Sequence, residues 1–319
     1  MHSHPITVTD ASLLAEVDAA VDRLLPRSGV PVARRLVALA DGRAHVLEAG
    51  DGPPVVLLHG GFGGAGNWYR TIGPLSRRYR VLALDRPGYG LTPGPAPDPV
   101  AWLGACLAAL DAPRAALMGH ASGGALALAY AQVHPAAVTA LVVTDMPLLP
   151  PADQQSSPPA GRRAARDSLQ SRPTIGGLAG PSSAPTRPPP RPRRVETWYA
   201  SLAARFDDRR LLAPEYLYYL WCLARLRPEQ DQRPPGEIAP GPVAIPGPGE
   251  RTWPARPSLL VWGHGNRGTG ALLARQLHQR IPDAWLRVIG RSKGIPNLEQ
   301  PGEFNYAIMT FLAAVLHEG

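Results

Sequence analysis

The sequence predicts an α/β fold with a mostly parallel central sheet flanked by helices, and three observations support this prediction. Uniformly apolar runs such as VVLLHGG and RAALMG recur along the chain, and such runs are typical of strands buried on both faces. Helix-like segments separate these runs, which favours crossover connections between parallel strands. The chain has 319 residues and an apolar content of 45%, so it is able to bury a large core.

The first predicted elements are a helix and a hairpin. Residues 11–25 are expected to be helical, because apolar side chains recur on one face after a capping residue, Thr9 or Asp10. The segments ARRLVALA and RAHVLEAG then have the character of strands. Asp41 and Gly42 between them predict a tight turn, so these two strands are expected to pair as a hairpin.

The remaining elements are predicted to alternate. The buried strands are expected in PPVVLLHGG, YRVLALDRPG, RAALMG, VTALVVTD, PSLLVWG and AWLRVIG. The helices are expected in VAWLGACLAAL, GALALAYAQVH, TGALLARQLHQR and EFNYAIMTFLAAVL. This alternation predicts a sheet that is covered by helices on both faces.

Residues 147–257 interrupt the alternation and predict a separate cap. The segments VETWYASLAARF and PEYLYYLWCLARL are helix-like, whereas the Pro- and Arg-rich stretches around them favour loops. We therefore divide the chain into a core formed by residues 1–146 and 258–319 and a helical Pro/Arg-rich cap insert at 147–257. The cap is expected over the carboxyl edge of the sheet, where ligands bind in open parallel sheets.

The cap is rich in aromatic side chains, which suggests a pocket for a small molecule. The candidates are Trp198, Tyr199, Tyr218 and Trp221, with Tyr216 and Tyr219 on the same predicted helices. Such residues either line a ligand pocket or pack the cap helices together, and the sequence favours neither interpretation.

The distribution of charge, apolar residues and cysteines argues against several other classes of protein. Most of the net charge of +8 lies in residues 147–194, where no aromatic residue stands among the arginines, so we expect no nucleic-acid partner. No apolar run reaches membrane-spanning length, and the N-terminus has no signal-peptide core, which predicts no membrane partner and a cytoplasmic location. Cys106 and Cys222 lie far apart among apolar residues, typical of buried thiols. No metal or cofactor is expected, and the oligomeric state stays open.

Five motifs occur in an order that resembles the α/β-hydrolase family. LLHGGFGGAGNW resembles its oxyanion loop, ALDRPGYGLT its turn after the next strand, and LMGHASGG its nucleophile elbow. LLVWGHGNR resembles the strand end that carries the catalytic acid, and IPNLEQPGEFN the segment after the catalytic histidine. The resemblance implies an α/β-hydrolase fold and places a cap insert where that family usually has one.

The elbow motif carries alanine where the family carries its nucleophile. The sharp turn needs small residues two positions before and two positions after the nucleophile. A nucleophile at position 121 has Gly119 and Gly123 at those places, whereas one at Ser122 would have His120 in a glycine slot. The glycine spacing therefore assigns the nucleophile position to Ala121, which has no reactive group.

The resemblance implies that the other two triad positions are also replaced. The family's acid corresponds to Asn266 in WGHGN, and its histidine corresponds to Gly294 in SKGIPNLEQ. An amide cannot stabilise an imidazolium by charge, and glycine offers no base. We therefore expect no hydrolysis by the ordinary Ser-His-Asp triad.

Other parts of the family's catalytic apparatus are predicted to remain. The backbone N–H of Ser122 and that of Gly61 or Phe62 are the candidate oxyanion-hole donors, and His59 is expected to brace the loop by hydrogen bonding. Asp145 and His264 end neighbouring strands, so this pair is a candidate for acid–base work in a common cavity. The competing interpretations are a loop cap for Asp145 and an exposed loop histidine for His264.

Three functions are compatible with these residues. The favoured one is a non-hydrolytic enzyme, of the cyclase, isomerase or lyase type, acting on a largely apolar carbonyl-containing small molecule. The second is an inactive pseudoenzyme that binds a small molecule or a protein partner. The third is a hydrolase that activates water with a displaced acid–base pair.

Overall fold

The structure is a computed structural model. It describes residues 8–94, 96–146, 148–149, 202, 206–208, 211–226, 243–244, 253–266, 270–281 and 283–316. Trp198 and Tyr199, two of the candidates for lining a pocket, lie outside these residues.

Ten strands are described, and eight of them form one sheet. The strands are β1 (Ala33–Leu39), β2 (Gly42–Ala49), β3 (Pro54–Leu58), β4 (Arg80–Leu84), β5 (Ala115–His120), β6 (Val138–Thr144), β7 (Leu148–Leu149), β8 (Val243–Ala244), β9 (Ser258–Gly263) and β10 (Trp285–Ile289). The sheet has the order β1-β2-β4-β3-β5-β6-β9-β10, while β7 and β8 pair with each other. Those two short strands lie in the insert, where the sequence predicted none.

The sheet is mostly parallel, as predicted. Strand β2 is antiparallel to both of its neighbours, β1 and β4, and each of the other neighbouring pairs is parallel. The hairpin turn predicted at Asp41 and Gly42 is confirmed by the pairing of Leu39 with Gly42. The carboxyl ends of β3, β4, β5, β6 and β9 therefore meet at one edge of the sheet.

Helices cover both faces of the sheet. They are α1 (Val8–Leu24), α2 (Tyr69–Ser76), α3 (Pro99–Ala109), α4 (Ser122–Val133), α5 (Pro214–Leu226), α6 (Gly270–His278), α7 (Pro296–Glu299) and α8 (Pro301–Leu316). One apolar cluster lies between the sheet and α1, α2, α5 and α8, and a second lies beneath α3, α4 and α6. Helix α1 begins three residues before the predicted start, and α2 escaped prediction because it contains Gly73 and Pro74.

Helix α5 is the best-described part of the insert, and it packs against the core. Tyr216 and Tyr219 are buried in the same cluster as α1. The Tyr216 hydroxyl donates to Asn67 Oδ1 at 3.1 Å, and the Tyr219 hydroxyl accepts from the Gly66 amide at 3.3 Å. These bonds attach α5 to the loop that follows β3, so it helps to fix that loop.

Within the part of the chain that the structure describes, no helix has both the length and the apolar character needed to cross a membrane. No group of three or more His, Cys, Asp or Glu side chains in the same residues is placed to hold a metal ion. Cys106 and Cys222 are buried free thiols, as predicted.

Candidate active site

Ala121 occupies a strained turn between β5 and α4. Its backbone has φ 49° and ψ −119°, a conformation that is rare for residues other than glycine. The Ala121 amide donates to the Thr144 carbonyl at 2.8 Å, and its own carbonyl accepts from Ala125 at 3.1 Å. These bonds hold the turn in place at the carboxyl edge of the sheet, with the methyl group of Ala121 at its tip.

Close backbone packing explains the glycines on either side of this turn. A Cβ added to Gly119 would overlap the Gly123 carbonyl, and one added to Gly123 would overlap the Leu58 carbonyl and lie 2.5 Å from that of His59. Both positions therefore require glycine, as the spacing argument for position 121 assumed.

The serine of this motif is turned into the interior. Ser122 is fully buried, and its hydroxyl oxygen accepts a hydrogen bond from Arg86 Nη2 at 2.9 Å. Because the hydroxyl is engaged beneath the turn, the tip of the elbow belongs to Ala121 rather than to Ser122.

His59 braces the loop that follows β3. Its Nδ1 donates to the Gly60 carbonyl at 2.8 Å, and its Nε2 accepts from the Arg86 amide at 3.0 Å. Burial and then the charge of Arg86 lower the pKa of His59 to about 3. The imidazole is therefore neutral at physiological pH and serves as a fixed hydrogen-bonding brace.

The His59 loop lies directly against the elbow. A Cβ added to Gly60 would lie 2.6 Å from His120 Nδ1 and 3.2 Å from the Ala121 methyl carbon. Among the described residues, the amides of Gly61 and Ser122 donate to no protein acceptor. Neither amide is therefore engaged within the described residues, while Phe62 has other contacts.

Gly294 and Asn266 extend the site away from the elbow. His120 Nε2 donates to the Gly294 carbonyl at 2.7 Å, since a carbonyl oxygen only accepts. A Cβ added to Gly294 would lie 3.2 Å from Asn266 Nδ2, and that nitrogen donates to Asp145 Oδ1 at 2.6 Å. The elbow, Gly294, Asn266 and Asp145 therefore form a continuous row along the edge of the sheet.

Asp145 is a buried carboxyl group with few polar neighbours. Besides Asn266, the Gly263 amide donates to it at 3.1 Å and the Thr144 hydroxyl donates at 3.4 Å. Burial raises the pKa of Asp145 to about 7, although these hydrogen bonds oppose the shift. The group is therefore partly protonated at neutral pH, which suits proton transfer.

His264 does not accompany Asp145 in the structure. The His264 residue is exposed, and it is not among the hydrogen-bond partners described for Asp145. Its backbone amide donates to the Ile289 carbonyl at 2.8 Å, which orders the turn after β9. The structure thus unites Asp145 with Asn266 and leaves the His264 side chain to solvent.

Comparisons with known proteins agree with this architecture. A family model described as the alpha/beta hydrolase fold matches residues 53–177. The naproxen esterase of Bacillus subtilis superimposes with a TM-score of 0.70 at 20% identity, covering 93% of this chain and 97% of the esterase. A meta-cleavage product hydrolase of Pseudomonas fluorescens IP01 gives a TM-score of 0.62 at 22% identity, with coverages of 88% and 97%. The chain therefore has the α/β-hydrolase fold.

Sequence relatives of this α/β-hydrolase-fold chain are named as hydrolases. The 2-hydroxy-6-oxo-6-phenylhexa-2,4-dienoate hydrolase of Burkholderia cepacia is 27% identical over 86% of this chain and 93% of the relative. The 2-hydroxy-6-oxo-6-(2'-aminophenyl)hexa-2,4-dienoic acid hydrolase of Metapseudomonas resinovorans is 33% identical. The latter match covers 38% of this chain and only 45% of the relative, which is less than half of its length.

Two of the predicted cap residues can be placed in this α/β-hydrolase-fold protein. Tyr218 is 36% exposed, and the guanidinium carbon of Arg23 lies 5.2 Å from its ring centroid. Trp221 is partly buried against the apolar cluster between the sheet and α1. Both residues therefore contribute to the packing of α5, and their role in a pocket stays a prediction.

Sequence reasoning missed two buried charged residues that shape the site of this α/β-hydrolase-fold protein. Arg86 is 4% exposed, and its Nη2 donates to the Gly60 carbonyl at 2.8 Å as well as to Ser122. Glu299 is 1% exposed; it accepts from the Ser292 hydroxyl at 2.7 Å and from the Lys293 amide at 2.9 Å, which fixes the loop that carries Gly294. Both residues lie in motifs of the family resemblance, but their burial was not predicted, because charged residues are usually exposed.

Replacing Asp145 by asparagine is expected to make stability less dependent on pH. The carboxyl group titrates near 3.8 when unfolded and near 7 when folded, so its stabilising contribution is complete below pH 4 and is lost as pH rises through 7. Asp145→Asn does not titrate and keeps the positive φ of 45° that asparagine tolerates. Relative to wild type, its free energy of unfolding is expected to rise by about 1–3 kcal/mol between pH 5 and 8.

Urea unfolding at several pH values measures this difference. Asp111→Asn is the matched control, because Asp111 also has a positive φ, 52°, but is exposed. An equal pH dependence in wild type and Asp145→Asn would contradict the raised pKa of Asp145.

Proposed function

We propose that this α/β-hydrolase-fold protein is a non-hydrolytic enzyme of the cyclase, isomerase or lyase type. Its substrate is a largely apolar carbonyl-containing small molecule. The observation that carries the proposal is the elbow, which presents the methyl group of Ala121 in a strained turn and buries the Ser122 hydroxyl. A methyl group forms no acyl-enzyme, whereas the amides of Gly61 and Ser122 still stabilise negative charge on an oxygen.

The neighbours of the elbow support the same proposal. We assign Asn266 and Gly294 to the family's acid and histidine positions, because Gly294 lies between the elbow and Asn266. Gly294 has φ +130°, so the local backbone is adapted to glycine and disfavours a side chain. The proposed site therefore lacks a nucleophile and its base, but keeps the donors for an oxyanion.

Asp145 is the proposed proton carrier. A group with a pKa of about 7 both accepts and donates protons at neutral pH. Asp145 acts without His264, because His264 is exposed. Proton transfer together with oxyanion stabilisation is sufficient for isomerisation of a carbonyl compound through an enolate.

The relatives suggest a substrate class for this chemistry. Several of them are named for 2-hydroxy-6-oxo-dienoates, compounds that combine a dienol, a ketone and a carboxylate. We propose that this protein acts on a related dienol and converts it to its keto isomer. One proton leaves the 2-hydroxyl oxygen, the double bonds shift, and one proton is added at C5, so the composition is unchanged.

Turnover of 2-hydroxy-6-oxo-6-phenylhexa-2,4-dienoate tests the proposal. We expect absorbance to record loss of the dienol, while chromatography finds the keto isomer and no benzoate. Asp145→Asn is expected to lower the rate by about 10²-fold or more, and the exposed Asp111→Asn control is expected to have no effect. A fluorophosphonate probe is expected not to label the protein.

Two outcomes would contradict the proposal. Benzoate released at the rate of dienol loss identifies a hydrolase, the third function considered from the sequence and the one that the names of the relatives favour. In that case the protein should also cleave activated esters without being labelled by fluorophosphonate. Binding of the dienol without any conversion identifies a pseudoenzyme.

A further inference from the structure

A buried cation lies directly beneath the two candidate oxyanion donors. Arg86 Nη2 donates to the Gly60 carbonyl at 2.8 Å and to the Ser122 hydroxyl oxygen at 2.9 Å. One guanidinium therefore contacts both segments that carry the donors, the loop after β3 and the start of α4. Arg86 follows β4 and is 4% exposed, so solvent screens its charge only weakly.

Arg86 has no carboxylate partner among the described residues. None of the ion pairs found there includes it, and its Nε is buried without a hydrogen-bond partner. The adjacent Asp85 is committed elsewhere: it accepts from His45 Nδ1 at 2.8 Å and from the amides of Ala65 and Leu91.

The other close neighbour of the guanidinium is an aromatic ring. The Arg86 guanidinium carbon lies 4.8 Å from the Tyr89 ring centroid. Burial lowers the pKa of Arg86 to about 10, so the group remains charged at neutral pH. An aromatic face stabilises a cation without neutralising it, and buried charges in proteins are normally paired. Within the described residues, the site therefore has a positive charge that no carboxylate pairs with.

This charge acts on the candidate donors through the backbone. The Gly60 carbonyl and the Gly61 N–H belong to one peptide group, so a cation bound to the carbonyl polarises that group and strengthens the N–H as a donor. The Ser122 N–H is at the start of α4, where the helix dipole adds further positive potential. Both effects favour a ligand oxygen that carries full negative charge over a neutral carbonyl oxygen.

We propose that Arg86 makes the space above Ala121 selective for an anionic oxygen, such as that of an enolate, a phenolate or a carboxylate. Arg86 does not touch the ligand and acts as a positioning residue through Gly60 and Ser122. This inference rests on the proposed function for the identity of the natural anion, which is the enolate formed from the dienol. The preference itself is a binding property that can be measured without turnover.

Binding of 4-nitrophenol tests the preference, because its phenolate form absorbs visible light. We expect the wild-type protein to bind the phenolate about 10-fold or more tighter than the phenol, so that bound probe ionises at least about one pH unit lower than free probe. Arg86→Met is expected to abolish this shift, and Arg86→Lys, which retains the charge, is expected to keep part of it. Ala121→Leu fills the space above the turn and is expected to block binding.

Several results would overturn the inference. These are equal affinity for phenol and phenolate, a full shift in folded Arg86→Met, tight binding in Ala121→Leu, or no binding at millimolar probe. Each can occur whether or not the dienol is converted, so failure of this inference is distinguishable from failure of the proposed reaction. Circular dichroism and thermal unfolding establish that each variant is folded.

A second variant keeps Arg86 intact in case its replacement prevents folding. Ala121→Asp places a carboxyl group at the tip of the elbow, where the conformation with φ 49° is more acceptable to aspartate than to most residues. We expect NMR to find the pKa of the new carboxyl group at least about one unit below the ordinary value for aspartate, near 3.9. A pKa at or above that value would contradict the proposed positive potential.

Discussion

Rebuilding the catalytic triad is expected to turn a protein that fluorophosphonate does not label into one that is labelled stoichiometrically. Ala121→Ser restores a nucleophile at the tip of a turn that already has the required strain, with φ 49°. Gly294→His restores a base next to it, since Gly294 contacts the elbow through His120. The proposed site already includes the amides of Gly61 and Ser122 as oxyanion donors, so the two substitutions supply the nucleophile and the base that it lacks.

The acid needs a more careful design than a single substitution. Asn266→Asp would place a second carboxyl group where Asn266 Nδ2 now donates to Asp145 Oδ1 at 2.6 Å. Two carboxyl groups at that distance share a proton, and their repulsion raises one pKa strongly. Exchanging the two side chains, by Asn266→Asp together with Asp145→Asn, keeps one carboxylate and one amide. The repulsion between two carboxyl groups is then absent.

We therefore expect fluorophosphonate to label the quadruple variant (Ala121→Ser, Gly294→His, Asn266→Asp and Asp145→Asn) faster than the triple variant that lacks Asp145→Asn. Mass spectrometry measures the two labelling rates. The variant with the other three substitutions but with Ala121 retained is the control. Position 294 has φ +130°, so a histidine there shifts the loop and lowers the rate below that of a natural hydrolase. Labelling at Ser122 would show that the elbow has been assigned to the wrong residue.

The sequence was sufficient to predict the fold and the tight turn at Ala121 because both depend on local patterns. Apolar runs and helical periodicity mark the strands and helices whatever their partners. The turn was identified by Gly119 and Gly123. At both positions the neighbouring backbone, within the motif and in β3, leaves no space for a side chain. Ala121 was assigned by that spacing alone, and its positive φ agrees with the assignment.

The charged network of the site was not predictable because its contacts join distant parts of the chain. Asn266 and Asp145 are 121 residues apart, and Arg86 and Ser122 are 36 residues apart. Burial alters the properties of such groups. It raises the pKa of Asp145, and it keeps Arg86 from solvent where none of the ion pairs in the described residues includes it. His264 ends a strand next to Asp145 in the sheet, but it is exposed, which was the alternative interpretation of this residue.

Gly123→Ala is expected to destabilise the protein by about 4 kcal/mol or more, or to prevent folding. The added Cβ overlaps the Leu58 carbonyl and lies 2.5 Å from the His59 carbonyl. Both atoms belong to the backbone that ends β3 and begins the candidate oxyanion loop. Neither can move without breaking the sheet or displacing that loop, so local relaxation relieves little of the strain.

Gly104→Ala is the matched control for this substitution, and urea unfolding measures both variants. Gly104 lies in α3, and its added Cβ would meet the Tyr130 ring at an ordinary distance of 3.5 Å. Alanine there is expected to stabilise the protein by about 0.5–1 kcal/mol, because it restricts the unfolded chain and favours the helix. If Gly123→Ala were as stable as wild type, the elbow would not be pressed against β3. The steric reason for placing Ala121, rather than Ser122, at the nucleophile position would then be lost.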